Sequence, residues 1–271
     1  MGPLPLIRTF DAEGIQLSVL ERGQGQIICF SHGLLFRKEM YAAQIEALSD
    51  TYRCVAWDHR GQGDSATPPG RVATIEQCTD DAIALIEALD AGPVHFVGLS
   101  MGGFVGMRIA ARRPALIRSL VLIETAADTE PVANQRKYRR LNWAARLFGI
   151  TRWLSGRVEP ILFGKSFLNN ADRQDEVELW RTRLMSNGRR VYKAVNGVIE
   201  RDACMAECAR ITAPVLQLHG EEDVAITEAR ARQTSEAIPG ARFELLPGTG
   251  HSASIEQPEL VTSRIRAFLE A

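Results

Sequence analysis

Few folds can accommodate the stretch Val94-His95-Phe96-Val97-Gly98-Leu99-Ser100-Met101-Gly102-Gly103. An apolar run of strand character meets a glycine, a lone hydroxyl follows, and two more glycines lead into a segment patterned as a helix packed on one face, Phe104 to Ala111. Strand, Gly-x-Ser-x-Gly, helix describes a turn so tight that the positions two residues either side of the serine have no room for a Cβ. The turn pushes the Ser100 hydroxyl out of the top of a sheet. It also leaves the Met101 amide at the first turn of a helix, aimed at developing negative charge. An isolated serine is a poor nucleophile, so the remaining chain is searched for a base and for an acid to hold that base.

The rest of the sequence supplies a sheet for this turn. Leu6 to Phe10 and Ile15 to Leu20 alternate around Asp11-Ala12-Glu13-Gly14, which predicts an antiparallel hairpin. Ile27 to Phe30, Arg53 to Trp57, Leu120 to Ile123 and Val215 to Leu218 are continuous apolar runs, as expected of strands buried on both faces. Helical patterns fall between them, at Met40 to Leu48 and Ile75 to Leu89. After Glu124 the rhythm breaks. Residues 127–206 carry helix-like patterns and no clear strand, and strand-helix alternation then resumes with Thr227 to Ala237, Arg242 to Leu246 and Glu259 to Leu269. The spacing predicts an α/β core formed by residues 1–126 and 207–271, with a helical lid inserted at 127–206.

Composition excludes several classes. With 45% apolar residues, 24% charged residues and a formal net charge of -1, the chain has no global pull towards nucleic acid or a membrane surface. Met1 to Leu6 lacks the basic and apolar regions of a leader, and no apolar run reaches membrane-spanning length. Five cysteines without regular spacing predict reduced thiols and a cytoplasmic protein; Cys204 and Cys208, one helical turn apart, read as buried thiols rather than as a metal pair. Neither a cofactor nor a metal is expected. Nothing in the pattern sets the oligomeric state.

Ligands on such sheets bind beyond the carboxyl ends of the strands, so the serine's partners belong there. After Val215 to Leu218 comes Gly220-Glu221-Glu222-Asp223, and after the strand ending at Leu246 comes Pro247-Gly248-Thr249-Gly250-His251-Ser252. Of five histidines, His95 and His219 fall inside buried strand patterns, His32 and His59 suit loop-shaping hydrogen bonds, and His251 sits in a loop long enough to reach the sheet top. His251 is therefore the candidate base. Spacing from Gly220 favours Asp223 as the acid over Glu221 and Glu222, which read as solvated. An oxyanion hole requires two amides, and Met101 and Leu34, the latter after His32-Gly33, are the candidates.

Taken with Asp58-His59-Arg60-Gly61-Gln62-Gly63-Asp64-Ser65, these motifs resemble the α/β-hydrolase fold family over nearly the whole chain outside the lid. The resemblance implies an eight-stranded sheet, a lid after the sixth strand and a Ser-Asp-His triad. Epoxide hydrolases and haloalkane dehalogenases of this fold carry aspartate where Ser100 stands in the strand-to-helix turn, the elbow, so Ser100 argues against both. The elbow, with Arg113-Pro114 and Glu124-Thr125-Ala126-Ala127 after it, is similar to that of enol-lactonases and small carboxylesterases; the His32-Gly33 loop departs from the enol-lactonases.

The expected activity is cofactor-free hydrolysis of a small carboxylic ester or lactone. C–C bond hydrolysis or perhydrolysis on the same triad is an alternative, as is a non-catalytic binding protein, though such proteins usually lose a triad member. Within 127–206 there are fifteen Lys and Arg against nine Asp and Glu. They read either as a basic mouth for carboxylate-bearing substrates or, more simply, as solvated helix faces. Trp143 and Trp153 are the aromatic residues expected near the pocket, and Met185 is a further candidate.

Overall fold

The computed structural model describes residues 5–271; part of the N-terminal stretch read above for a leader lies outside them. Eight strands form one sheet: β1 (Leu6–Ala12), β2 (Ile15–Arg22), β3 (Ile27–Ser31), β4 (Arg53–Trp57), β5 (Val94–Leu99), β6 (Ile117–Ile123), β7 (Val215–Gly220) and β8 (Arg242–Leu246). Their spatial order is β1-β2-β4-β3-β5-β6-β7-β8. The β1–β2 hairpin and the β2–β4 pair are antiparallel, and every other pair is parallel.

Successive side chains of a strand point to opposite faces, and the buried strands obey this closely. Cys29, Phe96, Leu120 and Leu122 enter one core with α2 (Ile75–Ala88) and α3 (Met101–Arg112). Ile28, Phe30, Val97, Leu99, Val121 and Ile123 enter the other, against α1 (Ala42–Leu48) and a C-terminal helix over Pro258–Leu269. A capping box starts α2: the Gln77 amide donates to Thr74 Oγ1 at 3.1 Å, and the Thr74 amide donates to Gln77 Oε1 at 3.0 Å.

Between β6 and β7 the chain is helical: α4 (Val132–Phe148), α5 (Arg152–Leu162), α6 (Lys165–Leu168), α7 (Gln174–Met185), α8 (Tyr192–Ile199) and α9 (Met205–Cys208). Two further helices, α10 (Glu228–Glu236) and α11 (Ala253–Glu256), precede the C-terminal helix, α12. Polar contacts tie the helical segment to the core. Glu222 accepts from the Ser166 amide at 2.8 Å and from its hydroxyl at 2.6 Å, so this residue, expected to be solvated, anchors α6 to the loop after β7. Among the described residues no helix is long and apolar enough to cross a membrane.

Candidate active site

Ser100 lies between β5 and α3 with φ 50° and ψ -108°, a conformation side chains seldom adopt. The glycines around it make that possible. A Cβ at Gly98 would lie 2.4 Å from Gly102 O, and one at Gly102 would lie 2.0 Å from Ser31 O. Both neighbours are backbone atoms that cannot swing aside. The turn is held from β6 and beyond: the Ser100 amide donates to Ile123 O at 2.8 Å, and Thr125 Oγ1 donates to Ser100 O at 2.9 Å.

His251 follows β8, and its Nδ1 lies 2.8 Å from Asp223 Oδ2, in the loop after β7. Both residues are buried. An ionised carboxylate only accepts, so Nδ1 carries the hydrogen and Nε2 is left basic. The other Asp223 oxygen accepts from the Ala225 amide at 2.8 Å and the Ile226 amide at 3.0 Å. Burial works to raise the Asp223 pKa, but His251 and the Ile226 amide outweigh it and hold the group below its ordinary value. Ser100 and His251 border one cavity without a hydrogen bond between them; such contacts often tighten only when substrate binds.

The two amides expected to meet an oxyanion are both available. Leu34 borders the cavity and its amide donates to no acceptor among the described residues. Met101 heads α3, where an amide has no intrahelical acceptor. Gln62 connects the two segments: its Oε1 accepts from the Leu35 amide at 2.7 Å, and its Nε2 donates to Met101 Sδ at 3.5 Å. The glycine-punctuated loop after β4 thereby braces both sides. His32 shapes it too, with Nδ1 2.7 Å from Gly33 O and Nε2 accepting from the His59 amide at 2.9 Å.

Two buried acids have roles that the sequence reading did not assign, although Glu124 stands in a motif quoted there. Glu124, just past β6, accepts from the Gly220 amide at 3.0 Å and lies 3.1 Å from His219 Nδ1. Atoms of Glu124, His219 and Asp223 lie within 4.8 Å of one another. Burial, and then the charge of Asp223, push the Glu124 carboxyl well above its usual range. Burial also presses His219 below its ordinary value, so no cation is on hand to stabilise a second carboxylate. A proton on Glu124 is the least costly way to place two carboxyl groups together. Glu256 accepts from the amides of Gly250 at 2.8 Å, Ser252 at 2.9 Å and Gly164 at 3.0 Å, clamping the His251 loop against the helical segment. A lone acid after a strand, or inside a short helix, carries no pattern that marks it in advance.

A cavity of about 110 Å³ opens to solvent above Ser100 and His251. Its roof comes from α4, α5 and α8, chiefly Leu141, Ala145, Leu154, Val158, Val195 and Val198. Trp143 and Trp153 do not reach it. They are 63% and 61% exposed on the outer surface, because the cavity-facing stripe of α4 runs through positions 138, 141, 142 and 145 and leaves Trp143 on another side. Met185 is also exposed, whereas Phe163, Phe167 and Trp180 pack into the core with Phe36. Arg136, Lys137, Arg139, Arg140, Arg189 and Arg190 are all at least partly exposed, as solvated faces should be.

Sheet, elbow and cavity together define a hydrolase of the alpha/beta class. Residues 26–258 match the family model described as alpha/beta hydrolase fold, and the chain belongs to that family. It is similar to a 2-(acetamidomethylene)succinate hydrolase of Mesorhizobium japonicum, 28% identical over 97% of this chain and 95% of that one. Among solved structures it resembles a thermophilic esterase from Thermogutta terrifontis, with TM-score 0.88 and 29% identity over 99% and 98% of the two chains. It also resembles an enol-lactonase from Burkholderia xenovorans LB400, with TM-score 0.89 and 28% identity over 97% and 100%.

Proposed function

We propose that the protein hydrolyses a carboxylic ester or lactone through an acyl-enzyme, with Ser100 as nucleophile, His251 as base and Asp223 as the orienting acid. The observation that carries the reading is the 2.8 Å Asp223–His251 contact, which leaves Nε2 basic on the cavity that Ser100 also borders. Ser100 Oγ attacks the carbonyl carbon while its proton passes to His251 Nε2. The Leu34 and Met101 amides hold the resulting oxyanion, each worth about 2.7–4 kcal/mol of transition-state stabilisation. The proton then goes to the departing alkoxide as the C–O bond breaks. Water, deprotonated by the same imidazole, attacks the acyl carbon, and Ser100 leaves with its proton restored. Asp223 stabilises the imidazolium in both halves.

Residues 127–206 act as the lid, since α4, α5 and α8 roof the cavity. Five buried, unpaired thiols suit a reducing compartment, which favours the cytoplasm. A second reading, cleavage of an amide on the same residues, is favoured by the relative named for an acetamido substrate. Ser100→Ala should abolish turnover of p-nitrophenyl acetate and labelling by a fluorophosphonate while the circular dichroism spectrum stays unchanged. Turnover and labelling equal to the wild type would refute the assignment.

A further inference from the structure

The lining of the cavity offers no cation to an anionic substrate among the described residues. Its one acidic side chain is Glu130, buried and ion-paired with the equally buried Arg201 at 2.8 Å. Arg201 keeps one unpartnered nitrogen, Nη2, but its guanidinium stacks 4.2 Å from the Phe104 ring centroid and is not among the residues that line the cavity. No Lys or Arg borders the cavity among the described residues. The other roof polar groups are Tyr138 and Asn142. Asn142 Nδ2 donates to Tyr192 O at 3.1 Å and Asn196 Oδ1 at 2.8 Å, and this leaves its buried Oδ1 as an acceptor with no partner. Aliphatic side chains make up most of the remainder.

We infer that the cavity selects an uncharged, hydrocarbon-rich ester or lactone, tolerates a hydroxyl or N–H donor facing Asn142, and rejects substrates whose buried end carries a carboxylate. This rests on the ester-hydrolysis reading above. A carboxylate entering the cavity loses its water and finds no free cation, because Arg201 is already paired with Glu130. A hydrocarbon chain gains from the same walls. A donor on that chain satisfies Asn142 Oδ1, which otherwise stays buried and unmatched.

The test compares kcat/KM of the wild-type protein on p-nitrophenyl acetate, octanoate, 8-hydroxyoctanoate and the mono-p-nitrophenyl ester of octanedioic acid. Octanoate should exceed acetate at least tenfold, the hydroxy ester should fall within tenfold of octanoate, and the carboxylate ester should fall at least 100-fold below it. Glu130→Gln should narrow that last gap at least tenfold. A carboxylate ester used as well as octanoate would overturn the inference, with or without a folded variant. So would acetate preferred over octanoate. If none of the four esters is turned over, and none labels Ser100, the ester reading itself fails, which is a different result from an active enzyme with the opposite preference.

Discussion

Glu124→Gln separates the shape of the buried acid from its proton. In the folded protein burial and the Asp223 charge keep the Glu124 carboxyl neutral well above its ordinary value of 4.5, whereas the unfolded chain releases that proton near 4.5. Above that pH the native state therefore binds one proton more than the unfolded state. Stability must fall as pH rises, by about 1.4 kcal/mol per unit, until the native carboxyl itself ionises. Glutamine has nearly the same volume, keeps an oxygen for the Gly220 amide and has no proton to lose. The stability of Glu124→Gln relative to the wild type should thus be constant below pH 4.5 and then improve along that slope. The slope lasts for as long as the native carboxyl keeps its proton, about 1.4 kcal/mol for each pH unit. Urea unfolding followed by circular dichroism, at half-unit steps from about pH 4 to about pH 8, gives the difference directly. Parallel wild-type and variant curves would refute the reasoning, because they would mean that Glu124 is ionised when folded. In that case His219, 3.1 Å away, would have to be its charged partner, and the glutamine would destabilise instead.

Three further outcomes follow from buried contacts. Asp58 is fully buried and accepts from Lys38 Nζ at 2.7 Å, the Lys38 amide at 2.7 Å and the Asp64 amide at 2.9 Å. Asp58→Ala leaves the two amides without an acceptor and Lys38 Nζ with only Asp64, at 3.1 Å, and Glu39, and should cost about 3–5 kcal/mol by urea unfolding; a cost below about 1 kcal/mol would contradict this account. Gly156 sits inside α5, and nothing lies within 4 Å of where an added methyl group would stand. Gly156→Ala should therefore stabilise by about 0.5–1 kcal/mol. Gly102→Ala should yield no stable fold, since its Cβ would meet Ser31 O at 2.0 Å. Thermal unfolding of the two variants checks both signs.

The buried strands were legible because an apolar run with turn residues at its ends has little else to become, and the positions of Asp223 and His251 followed from where those runs stop. Sheet order was not legible: β4 lies between β2 and β3, and nothing local in Arg53–Trp57 records its neighbours. Reading the helical segment by aromatic size selected Trp143 and Trp153, which face outward. Helical phase was the better guide there, since 138, 141, 142 and 145 share one stripe and carry the cavity wall. The roles of Glu124 and Glu256 were not legible for a different reason. Each acts only through amides and carboxyls brought near by distant strands and loops, so their role exists only in three dimensions.

The serine turn and the roof above it are held by different kinds of interaction in this molecule. The serine turn is fixed by backbone atoms packed too closely for any Cβ, at Gly98 and Gly102, and by hydrogen bonds from β6 and Thr125. A change there has no small version. The roof over the same serine is built largely from aliphatic side chains on α4, α5 and α8, where volume-conserving exchanges usually cost less than about 1.5 kcal/mol. Such a wall can be re-cut one residue at a time while the turn beneath it stays put. That asymmetry accounts for a backbone matching both an esterase and an enol-lactonase at TM-scores of 0.88 and 0.89 when fewer than a third of the residues are identical.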